Sequence, residues 1–150
     1  MENNNYLKFA LMLAVSFLIM YAVMFVNVDR LEHIYLSTTR LYMTLLMVSP
    51  MAVVMLLLMR GMYKNTSLNL VIIATSCAVF AGAFLLLRNQ VPIGDGQYIK
   101  AMIPHHSSAI LVSQEADIKD PELKKLAEGI IASQEREIAE MKAILNRVED

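Results

Sequence analysis

The chain has 150 residues, 57% of them hydrophobic, and a formal net charge of −1. That apolar excess excludes an ordinary water-soluble domain, and the balanced charge excludes a basic surface for nucleic acid. A single cysteine, Cys77, excludes a disulfide framework or a thiolate metal cluster within one chain.

Three runs, Phe9–Val28, Leu41–Met59 and Leu68–Leu87, are charge-free and close to the roughly 20 residues that cross a bilayer core. They predict three membrane helices in a domain spanning residues 1–88. The first run is too long for a signal-peptide core, and no small-residue cleavage site follows it. Basic residues near the membrane (Lys8, Arg60 and Lys64 against Arg30, Arg40 and Arg88) balance across the two faces. The terminal amine favours an inside N-terminus in an inner or cytoplasmic membrane, which leaves the C-terminal part outside. The first connection, residues 27–40, reads as an extension of the flanking helices.

Methionine recurs every fourth residue through the second run, at Met43, Met47, Met51, Met55 and Met59. Thioethers suit Cu(I), but each step of four overshoots a helical turn by about 40°, so no straight ladder forms. Lipid or helix packing is the expected role. Pro50 bends this helix, and no charged residue within the spans suggests a pump or channel. Thr44, Ser49, Thr75 and Ser76 are expected to bond to their own helices or to join neighbours.

After Arg88 the composition changes, and residues 89–96 form a Pro/Gly linker. Asp95 is the expected cap of a helix running to about Ile118. Asp120, Pro121 and Glu122 supply the start of a second, ending near Val148. Its apolar residues Leu123, Ala127, Ile130, Ile138, Met141, Leu145 and Val148 step by three and four, a packing seam. Residues 97–150 therefore predict an antiparallel helical hairpin.

Two polar residues interrupt the seam. The first helix carries the stripe Ile99, Met102 or Ile103, His106, Ala109 or Ile110, Ser113, and the second places Gln134 between Ile130 and Ile138. His106 and Gln134 each lie 14 residues from the turn near residue 120, which sets them level. A buried His–Gln bond that fixes register would explain them. So would a metal site: Met102 sits one turn before His106, His105 is adjacent, Met141 lies two turns after Gln134, and Glu137 could add an oxygen. Imidazole and thioether without thiolate is a donor set for copper in an oxidising compartment. Pro104 would adjust how the imidazoles are aimed.

The segments "MIPHHSSAI" and "LAEGIIASQEREIAEM" resemble the helical family catalogued as domain-of-unknown-function 305. Its Met-x-Pro-His-His-x-x-Ala-Ile and Gln-x-x-Glu-Ile-x-x-Met patterns fall on Met102, Pro104, His105, His106, Ala109 and Ile110, then Gln134, Glu137, Ile138 and Met141. The resemblance covers residues 95–146 and implies a ferritin-like, copper-associated module outside the cytoplasm. It implies no reaction.

The expected architecture is all-α, with three membrane helices followed by a hairpin. A hairpin this small buries little, so two chains are expected to pair into a ferritin-like four-helix bundle. Docking against the membrane helices or their outer loop, with His33 contributing, is the alternative. The expected function is membrane-anchored copper sequestration or transfer. It uses His105, His106, Met102 and Met141, with Gln134 and Glu137 in support, membrane lipid around the spans and a copper-handling protein as partner. A tethered structural bundle without metal is the competing reading. Enzymatic readings are weak: the module has no Glu-x-x-His pair for di-iron and no His-Glu-x-x-His zinc motif. Ser107 and Ser108 diverge from the histidines by about 100° per residue, and no acid is placed to orient a triad.

Overall fold

The computed structural model describes residues 2–149, which form five α-helices, one 3-10 turn and no strand. They divide into two units, residues 1–23 with 39–92 and residues 24–38 with 93–150.

The first unit contains helices α1 (Glu2–Val23), α2 (Thr38–Leu58) and α3 (Thr66–Arg88). Asn4–Val23, Thr38–Leu58 and Thr66–Arg88 have mean hydropathies of 2.0, 2.2 and 2.6, and each is long and apolar enough to cross a membrane. Their common core is aromatic. Phe9, Ala52, Leu56 and Tyr63 are buried together, with Met55 and Met59 packed against them. Those two methionines fill space, while Met43 and Met47 remain exposed. Thr44 and Ser49 donate to the carbonyls of Arg40 and Leu45, one turn back.

α3 starts where the Asn65 side chain accepts the Leu68 N–H at 3.0 Å. It stops in a Schellman motif, with Val91 N–H on Leu86 C=O and Gln90 N–H on Leu87 C=O. Gln90 takes the left-handed conformation (φ 52°) usually left to glycine, and its side-chain amide also caps Leu87.

The hairpin of α4 (Asp95–Glu115) and α5 (Pro121–Glu149) dominates the second unit. Gly94, rather than Asp95, holds the N-cap position of α4, and Asp95 opens the helix. α4 ends at Glu115, about a turn earlier than its apolar pattern suggests. The expected start of α5 is present: Asp120 Oδ1 accepts the Leu123 N–H at 2.8 Å and Pro121 is the first helical residue. Asp120→Ala should cost about 1 kcal/mol of hairpin stability, read as faster amide exchange in the first turn of α5. Ile99, Ile103 and Ile110 of α4 pack on Ile138 and Leu145 of α5. Where the stripe allowed two choices, Ile103 and Ile110 are the residues inside. Leu123, Ile130 and Val148 are left exposed.

Residues 24–38 depart from the expected organisation. They do not extend the flanking helices, and they belong to the unit that holds the hairpin. A turn and the 3-10 helix Leu31–His33 carry the segment, and α2 begins only at Thr38. Its polar side chains satisfy one another and α4 rather than a helical ladder.

Candidate functional site

α4 carries the two histidines on different faces. His105 is exposed, while the His106 side chain is only 12% exposed. Their ring centroids are 6.2 Å apart, with planes at 57°. Pro104, buried beside them, withholds one amide from the helix ladder.

His106 Nδ1 is buried and has no hydrogen-bond partner. The nearest carboxylate oxygen, Glu137 Oε2, lies 3.3 Å away, at ion-pair distance but outside hydrogen-bonding alignment. Glu137 Oε1 is occupied, accepting from Ser133 Oγ at 2.7 Å. One nitrogen and one oxygen thus converge without a better partner. Burial holds the His106 pKa below the ordinary imidazole value; Glu137 opposes this and His105 adds to it. The ring is neutral at pH 7, so a lone pair is free to bind a cation.

Met102 and Gln134 are half-buried, and Met141 packs on the Ile99–Leu145 core. Gln134 also lines a groove of about 870 Å³ along the first half of α5, with Leu123, Leu126, Gly129, Ile130 and Ser133. Glu137, one turn beyond Gln134, is the α5 residue that reaches His106. Among the described residues no three His, Cys, Asp or Glu side chains gather as a metal-holding group.

On the opposite flank of the hairpin lies a polar network absent from the expected site. Residues 24–38 cross α4 as a strap. Ser107 Oγ, fully buried, accepts the Asp29 N–H at 2.8 Å and lies 2.9 Å from His33 Nδ1. The Ser107 hydroxyl has a donor and a second lone pair left for that imidazole nitrogen, so it can serve either neutral tautomer of His33. Asn27 Nδ2 donates to Ser108 Oγ at 2.6 Å. Lys142 of α5 pairs with Glu32 at 2.9 Å, which lowers the Glu32 pKa. Gln97 Oε1 accepts from both the N–H and the hydroxyl of Thr38, each at 2.9 Å. A cleft of about 320 Å³ separates strap from hairpin, lined by residues including Asp29, Glu32, His33, Glu135 and Lys142.

The strap has a pH dependence of definite sign. Burial, followed by the Lys142 charge, holds His33 below the imidazole value of 6.5, against the pull of Glu32. The docked strap therefore binds fewer protons than the released one. Its docking is complete above about pH 6.5 and weakens as the pH falls below that value. Amide exchange of residues 24–38, corrected for intrinsic rate, should accelerate between pH 7.5 and 5.5. The hairpin core should change less.

Residues 81–145 match the family described as "Domain of unknown function (DUF305)". An uncharacterized protein of Acanthamoeba polyphaga mimivirus is 43% identical over 107 residues, covering 70% of this chain and 68% of the relative. That similarity runs well beyond the length of the family match. No solved structure matches.

Proposed function

Because the chain belongs to the DUF305 family, we propose that it is a membrane-anchored metal-binding protein that sequesters or hands over copper outside the cytoplasm. The observation that carries this reading is the buried, unpartnered His106 Nδ1 facing Glu137 Oε2 at 3.3 Å. Donors about 2.0 Å from a tetrahedral ion lie about 3.3 Å apart, so this pair already has the spacing of two ligands. Met102, one turn before His106, and Met141, one turn after Glu137, supply soft sulfur, and His105 a second imidazole at the rim. Thioether with imidazole favours copper over calcium or magnesium, and the free thiolate that would favour zinc is absent from this donor set. Gln134 stands by as an outer hydrogen-bonding group. In this reading the protein works as a pair of chains with their hairpins joined in a four-helix bundle, and it passes its ion to a copper-handling partner.

The gathering of only two donors of the His/Cys/Asp/Glu type favours one competing reading, a tethered structural bundle without metal. Elemental analysis of the intact protein, followed by titration with Cu(I) and Cu(II), separates the two. The wild type should bind copper and His105→Ala/His106→Ala should not. Equal binding by both would remove the copper site.

A further inference from the structure

We infer that the flank of the hairpin opposite the strap is an interface between two copies of this chain, and that the second copy completes the His106–Glu137 site. The inference rests on the metal reading above and adds its partner.

The strap decides which flank is available. With 100° per residue, the strap-side residues Ser107 of α4 and Lys142 of α5 fall on one side of the buried line through Ile103, Ile110, Ile138 and Leu145. His106, Met102, Ala109, Gln134, Glu137 and Met141 all fall on the other. On that second side α5 also presents Leu123, Leu126 and Ile130, at 50%, 59% and 37% exposure, around the 870 Å³ groove. An amphipathic helix does not normally leave so long an apolar strip in water. The strap already covers one groove of the hairpin, so a partner helix pair has this one face to cover.

Three features identify the partner as another copy. Two-helix faces about 30 Å long and 20 Å wide bury roughly 1,200 Å² in total when paired, the lower end of a stable interface. Copies held in one bilayer in the same sense form a closed, symmetric pair only about a twofold axis along the membrane normal. Each residue then stands at the height of its own counterpart, which brings the mid-helix His106 and Glu137 of both chains to one level. Finally, Glu137 is a charged side chain on that same side of α5, two turns beyond Ile130 and next to His106. Two such carboxylates brought together repel, and a shared cation removes the repulsion while gaining two nitrogens and two oxygens. One chain offers half a site.

Light scattering of the full chain in detergent tests this, with Cu(I) as the added probe. The wild type should double in protein mass on binding and saturate at one ion per two chains. Leu126→Glu/Ile130→Glu, placed at exposed positions so that the hairpin still folds by circular dichroism, should stay monomeric and bind at least tenfold more weakly. A wild type that binds copper as a monomer would overturn this inference and leave the proposed function standing. A dimer that survives in the double-Glu variant would place the interface elsewhere and overturn it too. No copper bound in any state would instead remove the metal reading on which it rests.

Discussion

Replacing Ser107 by alanine is expected to release residues 24–38 from the hairpin while leaving both helices formed. The side chain is fully buried and serves two groups, the Asp29 N–H and His33 Nδ1. Removing it strands both inside the fold. Each buried polar group left without a partner costs about 1–3 kcal/mol, so the docked strap loses roughly 2–6 kcal/mol. Alanine's better helix propensity returns only a few tenths. At tenfold per 1.4 kcal/mol, amide exchange across the strap should rise by about thirtyfold or more. Exchange in the middle of α5 should barely move, because Ile138 and Leu145 keep their packing partners on α4. Unchanged strap protection in Ser107→Ala would mean that the Lys142–Glu32 and Gln97–Thr38 contacts hold the segment by themselves.

The second large effect separates the two adjacent histidines. His106→Ala should weaken copper binding by about a hundredfold or more, and His105→Ala by much less. The difference follows from placement. His106 is shielded, neutral and already faces a carboxylate, so little is spent on desolvating or orienting it when an ion arrives. His105 is exposed and lacks such a companion in the structure. The same depression of the His106 pKa gives the wild type a distinctive pH profile. A proton competes for the ring only below the ordinary imidazole value, so copper affinity should stay flat from pH 8 to about 6.5 and fall at lower pH. Glu137→Gln should preserve the packing, remove the carboxylate charge and lower the His106 pKa further. Calorimetric titration across this pH range reads all three variants on one scale. A His105 effect equal to that of His106 would contradict the assignment.

The three long apolar helices were legible because about twenty consecutive residues without charge form a run that only a helix of bilayer length fits. The hairpin was legible from Asp120-Pro121 and from the three-and-four steps of α5. Its polar centre was legible to within one turn. Counting from the turn sets His106 level with Gln134, whereas His106 reaches Glu137. Side chains lean towards the N-terminus of their own helix. His106 therefore tilts away from the turn, Glu137 tilts towards it, and the two meet although their backbones are offset.

The strap was not legible. Its anchoring contacts join residues 74 and 78 positions apart, and nothing periodic in residues 24–38 points to a distant partner. Histidine at position 33 and the serine pair at 107 and 108 carried the information. Isolated polar residues of that kind have many ordinary explanations, and only their meeting gives them a meaning.

That discontinuity bears on biogenesis. The second unit is stitched from two stretches separated by two hydrophobic segments, so the ribosome delivers the first piece long before its counterpart. If either intervening segment failed to insert, the pieces would end up on opposite sides of the lipid and Ser107 could never meet Asp29. Closure of this unit therefore requires both stretches on one side of any membrane that the two helices between them cross.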